Sequence, residues 1–97
     1  MSKKTDTEVA VVVTTEHRGV FFGYTESPGT GSVVLRAGRN CLRWGTQTRG
    51  FVGLAVTGPV GSDCRVGPAA DMELSGVTCC LRCSDEAVER WESQPWR

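Results

Sequence analysis

Short apolar runs separated by turn residues recur along the chain, the pattern of a small β-rich domain. A β-branched run at 9–15 and an aromatic run at 20–24 are joined by a polar connection that ends in Gly19. Two strand-like runs joined in this way predict an antiparallel hairpin. The polar residues 1–8 that precede the first run are expected to form a flexible tail.

Two further hairpins are predicted downstream. Their expected strands are 32–36, 40–44, 71–74 and 77–83. Ala37-Gly38-Arg39 would connect the first pair, and Ser75-Gly76 would form a two-residue turn in the second, because glycine is favoured where the backbone reverses.

Residues 40–44 alternate in character. Cys41 and Arg43 fall on one side of a strand, and Leu42 and Trp44 fall on the other. Since successive side chains of a strand point to opposite faces, this alternation predicts one apolar face and one face that can carry charge.

Residues 51–57 are dense in apolar side chains and contain a glycine. This composition fits a buried strand, a short helix or a packed loop, and the pattern does not decide between them.

The carboxy-terminal residues predict one short helix over 84–93. Ser84 can cap free backbone NH groups, and Asp85 and Glu86 complement the positive end of the helix dipole. Trp91 lies on the apolar stripe of this helix and is expected to pack on the sheet.

Together these elements predict a mainly β single domain at 9–97, made of antiparallel hairpins in a sandwich or barrel, with one short carboxy-terminal helix. Large apolar side chains in strands need cover. The core candidates are Trp44, Phe51 and Trp91, with Val11, Val13, Phe21, Leu35, Leu54 and Leu81. Because a chain of 97 residues buries only a small core, a homo-oligomer is expected.

Charge and cysteine content limit the functional classes and the cellular compartments that fit this sequence. Eleven basic and 11 acidic residues balance, which argues against nucleic-acid binding through bulk positive charge. The apolar run at 9–13 is too short for a signal peptide or a membrane span, so a cytosolic location is expected. The five cysteines are an odd set, which a reducing compartment would keep as thiols.

Catalytic and metal-binding patterns are weak. His17 is the only histidine, and no local motif pairs it with a thiol, so no catalytic residue is predicted. Cys80 and Cys83 have the spacing of a zinc pair, but in a strand they would face opposite sides, which favours packing over metal binding. No phosphate-binding loop motif occurs, and no cofactor is predicted.

Arginines and glycines are concentrated between residues 36 and 68. Arginine offers a planar fork of donors that suits carboxylates and phosphates, and glycine lets a backbone approach a ligand closely. The candidate ligand-binding residues are Arg39, Arg43, Trp44 and Arg49, together with Arg18 and Arg65. Two interpretations stay open: a solvent-exposed set that pairs with nearby carboxylates, or the lining of an anion pocket in which Trp44 stacks on a base.

Several segments in combination resemble a family of small hypothetical proteins encoded by tailed phages and prophages. They include Ala37-Gly38-Arg39-Asn40-Cys41-Leu42-Arg43-Trp44, Thr48-Arg49-Gly50-Phe51-Val52-Gly53-Leu54-Ala55 and Ala87-Val88-Glu89-Arg90-Trp91-Glu92. The resemblance extends over 9–96. It implies a phage or prophage origin and action inside a bacterial cell, and it carries no activity or catalytic residue.

These observations lead to a functional hypothesis, a non-enzymatic phage accessory protein that binds an anionic ligand. The expected ligand is a nucleotide, and sequestration of a host immune signalling nucleotide would need affinity without chemistry. The alternatives are a minor virion or assembly protein and an inhibitor that contacts a host protein through the acidic helix. The host bacterial cytoplasm is the expected location for the first and last of these, and the virion for the second.

Overall fold

The chain folds as a mainly β domain with a short carboxy-terminal helix, which confirms the predicted fold class. The computed structural model describes residues 7–16, 19–43, 50–59 and 64–94. Its elements are β1 (Val9–Thr15), β2 (Val20–Thr25), β3 (Gly31–Arg43), α1 (Gly50–Val56), β4 (Arg65–Val66), β5 (Ala70–Arg82) and α2 (Asp85–Ser93). The segment 51–57, which the sequence left open, is therefore mostly helix.

The four longer strands close into a ring. The sheet order is β2-β1-β5-β3-β4, all neighbours are antiparallel, and β2 also pairs with β3. That last pairing joins the two sides of the sheet and makes a small barrel. The two-residue strand β4 lies outside the ring, along the end of β3.

The first hairpin forms as predicted. β1 and β2 pair from Val9 opposite Thr25 to Thr14 opposite Val20. The connection is closed by a hydrogen bond in which the Thr15 amide donates to the Gly19 carbonyl, at 2.9 Å.

The second predicted hairpin is wrong, because 32–36 and 40–44 do not fold back on each other. Residues 31–43 form the single strand β3, and the expected turn is a bulge inside it, where the pairing with β5 shifts between Leu35 and Gly38. Ala37 adopts a φ of 53°, and its amide donates to the side-chain carboxylate of Asp71 on β5, at 2.9 Å, instead of to a backbone carbonyl. A bulge of this kind bends the strand while pairing continues on both sides.

The third predicted hairpin is also wrong. Residues 70–82 form the single strand β5, which pairs with β1 and with β3. Gly76 has a φ of 69°, and its carbonyl accepts a hydrogen bond from the Glu16 amide at 2.9 Å. Gly76 therefore lies in a β-bulge and not in a turn. The bulge occurs where the register shifts in both ladders of β5, with β1 and with β3.

The core lies on both faces of β1. On one face, Val11 and Val13 pack in an inner cluster with Val33, Leu35 and Val77. On the other face, Val12 belongs to an outer cluster that the two helices cover. The large members of this outer cluster are Phe22, Tyr24, Leu54, Val66, Val88 and Trp91.

Most of the predicted core residues described by the structure are buried. Val11, Val13, Leu35, Leu54 and Trp91 are fully buried. Phe21 and Leu81 are partly buried against the two clusters. Trp44 lies outside the described residues, as does the side chain of Phe51.

The predicted faces of residues 40–44 are reversed where the structure shows them. Cys41 is buried, whereas Leu42 is 57% exposed. Cys41 lies opposite the buried Val66 of β4, and the register then shifts before the next pair. The sheet partner therefore decides which side faces the core, and the strand's own hydrophobicity does not.

Helix α2 begins as the sequence predicted. Ser84 is its N-cap, and the Ser84 hydroxyl accepts a hydrogen bond from the Ala87 amide at 3.1 Å. The buried residues Ala87, Val88 and Trp91 form its apolar stripe. The helix is thereby fixed over the outer cluster.

Ring closure depends on a close approach of β2 and β3 at Gly23. A Cβ atom added to Gly23 would lie 2.9 Å from Leu35 Cβ and 3.2 Å from Gly38 Cα. Both atoms belong to the backbone or are attached directly to it, so neither can move aside unless the backbone shifts.

We expect Gly23→Ala to destabilise the fold by about 1–3 kcal/mol, because the new methyl group overpacks the closure of the ring. Denaturant unfolding of the purified variant measures this loss. Gly67→Ala is the matched control, since Gly67 is also buried and its added Cβ would meet nothing closer than the Asn40 carbonyl oxygen at 3.7 Å. Equal unfolding free energies for the two variants would contradict the proposed closure constraint.

Candidate functional site

The six ligand-binding residues predicted from the sequence fall into two groups. Arg18, Trp44 and Arg49 lie outside the described residues. Arg39, Arg43 and Arg65 lie on described strands, although the structure does not describe the side chain of Arg43. The geometry of the predicted site therefore rests on β3 and β4.

Arg39 is directed into the protein. Its residue is 8% exposed, its Nε donates to the Gly67 carbonyl at 2.7 Å, and its Nη1 donates to the Trp91 carbonyl at 2.6 Å. Burial lowers the pKa of Arg39 from its ordinary value. This guanidinium links β3 to the segment before β5 and to α2, and the structure does not bring it to the surface beside Arg65.

Arg43 and Arg65 are brought together. Their Cα atoms are partners in the β3–β4 ladder, and Arg65 is exposed. Two arginines at opposite positions of a ladder can both contribute donors to one anion. This pairing is therefore a candidate anion site. The name β3–β4 edge is used below for the pair Arg43 and Arg65.

A second charged site, which the sequence reasoning did not select, is built on Arg36. Its Nε and Nη2 donate to the Glu8 carboxylate at distances down to 2.7 Å, and its guanidinium lies 5.1 Å from the centre of the Tyr24 ring. The hydrogen bond to Glu8 is the main reason why the pKa of Arg36 is raised. Residues 8 and 36 meet only because β2 pairs with both β1 and β3, which no local sequence signal reveals.

A cavity of about 360 Å³ opens beside this ion pair. Its walls come from the residue before β1, the end of β2 with the turn that follows, and the first half of β3. The lining residues are Glu8, Tyr24, Thr25, Glu26, Ser27, Ser32, Val33, Val34 and Arg36. We call this space the β2–β3 cleft. It combines carboxylates, hydroxyls and one guanidinium that is already engaged.

The cysteines offer no metal centre in the part of the chain that the structure describes. None of the five cysteines is in a disulfide, and the described residues hold no group of three or more His, Cys, Asp or Glu side chains that could bind a metal ion. Cys80 packs against the inner cluster and Cys83 against the outer one. Burial, with a smaller effect of Cys80, raises the pKa of Cys83 to about 12.

We expect Arg39→Met to destabilise the protein by about 2–4 kcal/mol, because two buried carbonyl groups lose their donors. Arg82→Met, at an exposed position that ends β5, should change the unfolding free energy by no more than about 0.5 kcal/mol. Chemical denaturation of both variants measures the difference. A stable Arg39→Met protein would mean that the two hydrogen bonds of Arg39 contribute little to the fold.

We expect Cys83 to react with iodoacetamide at pH 8.5 at least about a hundredfold more slowly in the folded protein than in urea, because only the thiolate reacts. An ordinary thiol has a pKa of about 8.5 and is roughly half ionised there. Peptide mass spectrometry over time resolves the five sites, and Cys83→Ser identifies the slow one. Equal rates in buffer and in urea would contradict the raised pKa.

Comparison with known proteins adds a family and no activity. A family model described as a domain of unknown function (DUF6948) matches residues 8–91. No match is found among curated proteins or among solved structures. Within the described ranges, neither helix has the length and apolar character needed to cross a bilayer.

Proposed function

The chain belongs to the DUF6948 family of domains of unknown function, and from its own residues we propose that it binds a phosphate-bearing anion, of the nucleotide class, at the β3–β4 edge without transforming it. The observation that carries this proposal is the placement of Arg43 directly opposite the exposed Arg65.

Two opposed arginines suit a phosphate well. Cross-strand partners in an antiparallel ladder have Cβ atoms about 5 Å apart, a spacing at which two arginine side chains in general can converge on one tetrahedral anion. Each guanidinium can donate two parallel hydrogen bonds, and charge-assisted bonds of this kind are about twice as strong as neutral ones. The β3–β4 edge can therefore donate more hydrogen bonds to one phosphate than a single surface arginine could.

The neighbouring sequence favours a nucleotide over a simple phosphate. Trp44 follows Arg43 directly in the chain, and Arg49 lies five residues further on. An aromatic side chain next to phosphate-binding cations is the usual means of stacking a base. The ligand would be held intact, which suits sequestration of a signalling nucleotide in the setting that the phage resemblance implies.

Isothermal titration of the wild-type chain against adenosine triphosphate, a cyclic dinucleotide and pyrophosphate tests the proposal. We expect Arg43→Gln and Arg65→Gln each to weaken binding by about tenfold or more, since a hydrogen bond to a charged group is worth about 1.5–3 kcal/mol. Arg82→Gln, at an exposed arginine that ends β5, is the matched control and should bind normally.

Two outcomes of these experiments would contradict binding of an anion at the β3–β4 edge. The proposal fails if none of the three compounds releases heat and denaturation of the freshly purified chain releases no small anion. It also fails if Arg82→Gln weakens binding as much as the two edge variants, because the effect would then be one of overall charge. Recovery of the chain in purified phage particles, with no ligand bound, would support a structural role in the virion instead.

A further inference from the structure

The first part of β3 has a strand partner on one edge only. Residues 31–35 pair with β5, from Gly31 opposite Val77 to Leu35 opposite Met72. The pairing of β3 with β2 begins only at Arg36, opposite Tyr24. Among the described residues, no strand pairs with the other edge of 31–35, so alternate backbone NH and carbonyl groups of this stretch face away from β5.

The β2–β3 cleft lies along this open edge. Ser32, Val33 and Val34 form one wall, and residues 25–27 form the wall across from them. Five strand residues extend over about 17 Å, which is enough for the backbone of a short peptide to align with them. The space is therefore bounded on one side by main-chain groups of the kind that recruit an additional strand.

The side chains around the edge differ between its two faces. Val33 and Leu35 are buried and belong to the inner cluster, so an added strand would continue that apolar layer on its inner face. On the outer face, Val34 is 61% exposed and lies opposite the exposed Glu73 of β5. A second hollow on this face is lined by both residues.

Carboxylates flank the edge on both sides. Glu73 lies two strands away from an added strand, a span of about 10 Å that a lysine and a glutamate side chain cover together. Glu26, on the opposite wall, is exposed and accepts a hydrogen bond from the Thr7 hydroxyl at 2.8 Å. The positive charge of Arg36 is already matched by Glu8.

We infer that this edge binds an extended peptide segment of a partner protein, added as a strand, with apolar side chains on its inner face and basic side chains on its outer face. The basic residues would rest their aliphatic stems on Val34 and place their charges near Glu73 and Glu26. A second copy of the chain is a poorer occupant, because symmetric pairing of two such edges would oppose the acidic groups of one copy with those of the other and offer them no basic side chain.

Three synthetic heptapeptides test this inference. The first alternates lysine and valine, the second alternates glutamate and valine, and the third is the lysine peptide with alternate backbone nitrogens methylated. In amide-resolved NMR titrations of the whole chain, the lysine peptide should shift the signals of residues 31–35 and 25–27. The glutamate peptide should bind at least about tenfold more weakly because of charge, and the methylated peptide should bind similarly weakly because it lacks donors.

Two matched variants locate the site. Val34→Lys places a like charge against the incoming basic residues, and it should weaken binding of the lysine peptide by about tenfold. Val52→Lys changes an equally exposed valine, 53% exposed on α1, and should leave binding unchanged. Both positions are open to solvent, so both variants should fold.

Several results would overturn the inference. One is slow hydrogen exchange at every amide of residues 31–35 in the free chain, which would mean that the edge is already covered. Another is equal binding of the methylated and unmethylated peptides, or an equal effect of the two valine variants. Concentration-dependent shifts of the same amides without any peptide would assign the edge to a second copy of the chain.

Discussion

The contacts of Trp91 hold the helices and the barrel in one arrangement. Its ring stacks on Phe22 of β2, with centroids 5.0 Å apart, and its Nε1 donates to the Leu54 carbonyl of α1 at 2.9 Å. Its own carbonyl accepts a hydrogen bond from Arg39 of β3, which also holds Gly67. A fully buried tryptophan contributes a large apolar surface, and here both its polar group and its backbone are satisfied. Trp91 and Arg39 therefore connect both helices, the strands β2 and β3, and the segment before β5.

With that arrangement fixed, β3 has three different environments along its length. Its first residues have one open edge beside the β2–β3 cleft, its middle pairs on both sides, and its last residues lie against β4. Arg39 follows directly after the doubly paired middle, and the two ends contain the charged and apolar groups on which the proposals rest. Rigid elements place ligand-binding groups more accurately than loops do. One strand, held at its centre, is thus the common support for both candidate sites.

The sequence predicted what local signals determine. The β1–β2 hairpin follows from two strand-like runs and a polar connection, and α2 follows from Ser84 and its apolar stripe. The two missed strands have a common physical cause: Gly38 and Gly76 look like turn residues, but whether a glycine turns a chain or bulges a strand depends on which strands lie on either side. The arginines show the same limit, since equivalent residue types at 39 and 65 are buried and exposed respectively because of tertiary partners. Arg36 was missed for the same reason, because its pairing with Glu8 requires the register of three strands.

The double-sided burial of β1 has a consequence for synthesis of the protein. Its run Val9-Ala10-Val11-Val12-Val13 is rich in β-branched residues, uncharged and free of proline, which is the composition of segments that aggregate when they are exposed. In the folded chain, β2 covers one edge of β1 and β5 covers the other. Because β5 follows β1 by more than 50 residues along the chain, the aggregation-prone stretch is synthesised well before the strand that shields its second edge.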